Sequence, residues 1–160
     1  METPTEPSIE PVTDVARRQE ICGRILRSLP GWFGIEEAID SYVAEVADLE
    51  VLAAQLGGES VGFAALKDHN HATMEIHVMG ILPDFHGRGI GRRLVETCTA
   101  RARGRGRRFL TVKTLSPSHP SEHYAATRAF YTAMGFLPLE EFPTLWGEQN
   151  PCLMMVKVLE

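Results

Sequence analysis

The stretch Ile81-Leu82-Pro83-Asp84-Phe85-His86-Gly87-Arg88-Gly89-Ile90-Gly91-Arg92-Arg93-Leu94 decides how this chain is read. A β-prone run from about Ala72 to Leu82 stops at Pro83. Glycines then crowd a turn, and Ile90, Leu94, Val95, Cys98 and Ala102 follow at helical spacing. A glycine turn between a strand and a helix exposes backbone N–H groups at the positive end of the helix dipole. Glycines without Cβ atoms let an anion come close. The segment therefore reads as an anion cradle. A dinucleotide fold would need an acidic residue closing a second strand about 20 residues on, and a P-loop would need Gly-Lys-Ser/Thr; neither is present.

Outward from the cradle, Gly104 and Gly106 end the helical stripe before a β-rich run, Phe109 to Thr114. The next helix is expected to bury Ala126, Ala129, Phe130, Ala133 and Met134, with Gly135 just past its end. Phe136 to Phe142 and Cys152 to Leu159 read as two closing strands joined by Pro143 to Pro151. Towards the amino terminus, Ile21, Cys22, Ile25, Leu26 and Leu29 mark one amphipathic helix within Thr13 to Leu29, and Ile35, Ile39, Val43 and Val46 mark a second. The aromatic bend Trp32-Phe33-Gly34 between them reads as a lid. Leu49 to Gln55 and Ser60 to Lys67 flank Gly57-Gly58 as a β-hairpin.

The chain has 160 residues, enough for one domain, and the polar, proline-rich stretch 1–12 reads as a loose tail. Hydrophobic residues at 44% and charged residues at 23% are ordinary for a globular protein. No apolar run approaches the roughly 18 residues that cross a bilayer, and no secretory signal is visible, so a cytoplasmic protein without membrane partners is expected. Cys22, Cys98 and Cys152 are far apart and form no paired ligand motif, which leaves them as reduced, buried thiols. Residues 88–108 hold eight of the sixteen Lys and Arg against the single acid Glu96, inside a chain of net charge −5. A local basic segment in an acidic protein favours a small anionic ligand and argues against nucleic acid, while the acidic remainder suits a cationic substrate. Arg101 to Arg108 lie roughly 15–25 Å down the helix from the cradle and read as a solvated helix end. The pairs His69/His71 and His119/His123 sit in loops without a third ligand, so no metal is expected.

His86-Gly87-Arg88-Gly89-Ile90-Gly91 resembles the acetyl-CoA-binding motif of the GNAT superfamily of N-acetyltransferases: Gln or Arg, two residues, Gly, one residue, then Gly or Ala. Pro83 after the strand and Phe130-Tyr131-Thr132-Ala133-Met134-Gly135-Phe136 resemble two further parts of that pattern, so the likeness spans Glu75 to Phe136. It implies an α/β (α+β) GNAT fold: a mixed, mostly antiparallel sheet of about six to seven strands, splayed at its centre and flanked by about four helices. It also implies acetyl-CoA as acyl donor. Backbone amides of Gly87, Arg88, Gly89, Ile90, Gly91 and Arg92 would hold the pyrophosphate, with His86 beside them. The strand edge at Met79 and Ile81 would pair with the pantetheine arm, and an amide near Ile81 would polarise the thioester carbonyl.

Attack on a thioester needs an uncharged amine, so a base must take a proton from the ammonium. By the same resemblance Glu75 is the first candidate; His77 is the reserve because an imidazole intrinsically titrates near neutrality. Period-2 alternation puts Glu75, His77 and Met79 on one face. Tyr131 resembles the family's general acid to the leaving thiolate. Trp32 and Phe33, with His77, are expected to shape an acceptor pocket for a small-molecule primary amine; a protein lysine or N-terminal amine, or a non-catalytic acyl-CoA sensor, are the alternatives. Two residues depart from the pattern: His86 stands where Gln or Arg is usual, and Tyr124 stands where many relatives have Asn. Homodimers are common among look-alikes, but no residue pattern here specifies one.

Overall fold

The computed structural model describes residues 6–160. The elements in chain order are β1 (Ser8–Val12), α1 (Val15–Arg27), α2 (Glu36–Glu45), β2 (Glu50–Leu56), β3 (Glu59–Asp68), β4 (Thr73–Ile81), α3 (Ile90–Gly104), β5 (Phe109–Leu115), α4 (Glu122–Ala133), β6 (Leu137–Phe142) and β7 (Cys152–Val158). The strands form one mixed seven-stranded sheet in the order β1-β2-β3-β4-β5-β7-β6. β4 and β5 are parallel, and the β1–β2, β2–β3, β5–β7 and β6–β7 pairs are antiparallel. The chain divides into two compact units. One comprises the residues up to Lys67 with His77–Cys98; the other comprises Asp68–Ile76 with Thr99–Glu160.

In the first unit, the stripe read for α1 is the buried face: Ile21, Cys22, Ile25, Leu26 and Leu29 are all at most 4% exposed. Asp14 caps the helix by accepting from the Arg17 amide at 2.9 Å, satisfying one of the donors that a helix start leaves unpaired. The helix lies tightly on β4 because Gly80 has no side chain: a Cβ there would come within 3.1 Å of Ile25 and 3.2 Å of Leu29. Phe63, Val51 and Val78 complete this core, and Trp32, Phe33 and Tyr42 pack at its margin. The proline-rich segment read as a tail is corrected for Ser8–Val12. These residues pair antiparallel with Val51–Gln55, and Pro11 is tolerated because β1 is an edge strand. Residues 1–5 of that segment lie outside the described residues.

In the second unit, β4 enters the ladder with β5 from Thr73↔Phe109 to Ile76↔Val112, and β5 continues against β7 to Leu115↔Cys152. The face read for α4 is corrected. Ala126, Ala129 and Ala133 are exposed and Phe130 is half-buried, whereas Tyr131 and Met134 are buried, with Tyr124, Thr127 and Arg128 half-buried beside them. Alanines bury little apolar surface wherever they point. An ordered contact decides the rotation instead: the Arg128 guanidinium donates to the Leu115 carbonyl at 2.6 Å and turns its face inward. The three cysteines are unbridged and buried. Among the described residues no helix is long and apolar enough to cross a membrane.

Candidate active site

The cradle sits in the first unit. β4 ends at Ile81, a 3₁₀ turn covers Pro83–Phe85, and α3 opens at Ile90. The first hydrogen bond into α3 runs from the Arg93 amide to the Gly89 carbonyl at 3.2 Å, so the amides of Ile90, Gly91 and Arg92 precede the helical ladder. Gly87 and Gly89 have φ of 75° and 80°, a conformation L side chains rarely adopt, and no heavy atom lies within 4 Å of where either Cβ would stand. The turn is exposed and open. Arg88 is held over the Phe85 ring, 5.0 Å from its centroid. His86 braces the turn: Nε2 donates to the Ile81 carbonyl at 2.7 Å, and the ring meets Trp32 edge-on at 5.7 Å. The aromatic bend after α1 therefore rests on the glycine turn through His86. Met79 and Ile81 are half-buried at the strand end.

A row of rings leads from the same bend to β4. Phe33 contacts Tyr42 at 6.0 Å between centroids, and Tyr42 contacts His77 at 5.6 Å. His77 Nε2 is hydrogen-bonded to the Glu45 carboxylate at the end of α2. His77 thus faces α2, while its neighbour Val78 belongs to the core formed with α1 and α2. Tyr42 and Glu45 were not among the residues read as functional. They stand three apart on α2, which puts them on one helical face, and that spacing was the signal available.

In the second unit Glu75 is 2% exposed and both of its oxygens are engaged. Oε1 is 2.7 Å from His69 Nε2, and Oε2 accepts from Lys113 Nζ at 2.8 Å. Lys113 reaches it because Glu75 is in register with Thr111, one side-chain repeat earlier on β5. Burial by itself would raise the Glu75 pKa. The hydrogen bonds from Lys113 and His69 outweigh it and hold the carboxyl below its ordinary range. The group is a fixed anion. Tyr131 is 6% exposed, with Phe130 at 5.3 Å and Phe136 at 5.4 Å between ring centroids. Among the described residues no group of three or more His, Cys, Asp or Glu is placed to hold a metal ion.

A mixed sheet whose fourth strand feeds an exposed glycine turn at a helix start defines an α/β protein with backbone amides unpaired by the helix at that turn. The family model described as the Acetyltransferase (GNAT) family matches residues 19–136, and the chain belongs to that family. The chain is 34% identical over 88 residues to the N-alpha-acetyltransferase RimI of Mycobacterium tuberculosis, a match covering 53% of this chain and spanning half the length of that relative. A GNAT acetyltransferase from Elizabethkingia anophelis, solved with acetyl-CoA bound, superposes with a TM-score of 0.72 at 18% identity, covering 96% of this chain and 99% of that one. The aminoglycoside 6'-N-acetyltransferase from Enterococcus faecium gives 0.73 at 19% identity, covering 96% and 97% of the two chains. Ard1 from Thermoplasma volcanium gives 0.74 at 15% identity, covering 97% and 99%. At these identities the structures share the fold.

Proposed function

We propose that the protein transfers an acetyl group from acetyl-CoA to a primary amine, and that the amine belongs to a small cationic molecule. The observation that carries the reading is the cradle: amides ahead of the first helical hydrogen bond, two glycines with open space above them, and Arg88 and Arg92 alongside, in a member of an acetyltransferase family. This donor set fits a diphosphate. Acetyl-CoA supplies the activated acyl group.

In this reading the amides of Gly87 to Arg92 fix the diphosphate, with His86 keeping the turn in shape from the strand side. The strand edge at Met79 and Ile81 is assigned to the pantetheine arm. Tyr131 is assigned to protonate the departing sulfur. A hydroxyl on a ring wedged between two phenylalanines is held in one orientation, which suits proton delivery to a defined point. Phe33, Tyr42 and the Glu45 carboxylate form a wall of aromatic faces and negative charge, which suits an ammonium-bearing acceptor. The reading is of a cytoplasmic enzyme. A second reading, an N-terminal α-amine of a protein as acceptor, is favoured by the likeness to RimI.

Thiol release from acetyl-CoA, measured against polyamines, aminoglycosides, amino acids and peptides bearing free amino termini, separates the two. Turnover confined to small amines supports the first reading, and turnover confined to peptides supports the second. Tyr131→Phe is expected to lower kcat by roughly 100-fold with the acetyl-CoA KM little changed. Unchanged turnover would remove the acid role.

A further inference from the structure

We propose that His77, positioned by Glu45, is the group that takes the proton from the substrate ammonium. The inference rests on the acetyl-transfer reading and assigns the base within it.

Two carboxylate–imidazole pairs are present, and they differ in what they leave available. At Glu75 both oxygens are occupied, one by a lysine ammonium, and the side chain is almost fully enclosed. A buried carboxylate that pairs with an ammonium is a weak proton acceptor, and using it would require breaking the pair. His77 is differently placed. Its side chain is 18% exposed and that of Glu45 is 46% exposed, so the pair opens to solvent.

The bonding fixes which nitrogen does the work. An ionised carboxylate only accepts, so Nε2 carries the proton donated to Glu45, and the lone pair of the neutral ring lies on Nδ1. Nδ1 makes no hydrogen bond among the described residues. The Tyr42 ring against one side of the imidazole limits its rotation. An imidazole with its tautomer set by a carboxylate on the far nitrogen is the arrangement that general-base catalysis uses. Phe33 and Tyr42 continue the row of rings from the aromatic bend to His77, so the residues that would hold an ammonium adjoin the one that would deprotonate it.

The proton and electron accounting closes. The ammonium gives one proton to Nδ1, forming an imidazolium that Glu45 stabilises through Nε2–H. The freed nitrogen lone pair forms the C–N bond at the thioester carbonyl. The C–S bond breaks, with its electron pair leaving on sulfur. The second nitrogen proton is lost to water as the amide forms, while Tyr131 gives its phenolic proton to the thiolate and is reprotonated from water, giving amide and free thiol. The imidazolium returns its proton to water. His77 is the catalytic residue here and Glu45 a positioning residue.

The test combines kinetics with a spectroscopic readout. With an amine found by thiol release, His77→Gln is expected to lower kcat by roughly 100-fold, and Glu45→Gln by roughly 10-fold, with acetyl-CoA KM within about twofold of wild type in both. Glu45→Asp should restore most of the loss. Long-range 1H–15N spectra of histidine-labelled protein at about pH 8, with the His77 signals identified by their absence in His77→Gln, should show Nε2 protonated and Nδ1 bare in the wild type. Glu45→Gln should shift that tautomer balance. Full kcat in His77→Gln, or a wild-type His77 protonated on Nδ1, would overturn the proposal while leaving acetyl transfer intact. A wild type that binds acetyl-CoA yet acetylates no amine would overturn the transfer reading and the base role together. Should His77→Gln not fold, His77→Asn and the wild-type tautomer carry the decision.

Discussion

Glu75 with His69 and Glu45 with His77 are the same two side chains in two settings. At the first, β4 is flanked by β5, the carboxylate is enclosed, and Lys113 closes the cluster. At the second, the partner comes from a helix end, solvent reaches both groups, and among the described residues no lysine joins the pair. Enclosure with a matched ammonium produces a fixed charge, useful for holding a strand pair together. Partial exposure without that ammonium fits the role proposed for His77. Position on the same strand therefore says little about role, and the company each carboxylate keeps says more.

The comparison is broken most directly by removing the lysine. Lys113→Met leaves a buried anion without its cation and is expected to cost about 3–5 kcal/mol of unfolding free energy, read from urea titration. A loss no larger than that of a surface substitution would mean that Glu75 is not held by charge. Acidification gives a second, smaller effect. The Glu75 pKa is depressed in the folded protein, so its contribution to stability is present above the ordinary carboxyl value and is lost as pH falls through the lower folded value. The melting temperature of the wild type should accordingly drop more steeply than that of Glu75→Gln between about pH 5 and pH 3. Parallel curves would contradict the depressed value. The smallest change is expected at the other pair: Glu45→Gln should alter stability by less than about 1 kcal/mol, since one partner is half exposed. A loss comparable to that of Lys113→Met would erase the distinction between the two sites.

The glycine turn, the α1 and α3 stripes and the order of strands and helices could be read from the residues because each is a local pattern with one physical meaning. The edge strand β1 could not, because its five residues are too few and too mixed around Pro11 to show a pattern and the pairing with Leu52 is made by distant chain. The α4 face was misread because four alanine and phenylalanine positions outvoted Arg128, whose inward turn depends on a carbonyl at Leu115. The same limit applies at the site. Glu75 and His77 stood out on their strand, but Lys113 is 38 residues from Glu75 and Glu45 is 32 from His77, separations that only the fold closes. The brace formed by His86 was hidden for a related reason: the residue departs from the family pattern, and its partner is a backbone carbonyl.

The buried cysteines carry a practical corollary. Desolvation pushes the Cys22 thiol up to about 12 and the Cys152 thiol up to about 11, so at neutral pH no more than about one molecule in 10,000 holds either as the reactive thiolate. Cys98 is likewise shut away from solvent. On the acetyl-transfer reading, whose second product is a free sulfhydryl, the protein keeps its own sulfur chemically silent. It escapes mixed disulfides with its product, and a chromogenic sulfhydryl reagent added to the folded enzyme counts coenzyme alone.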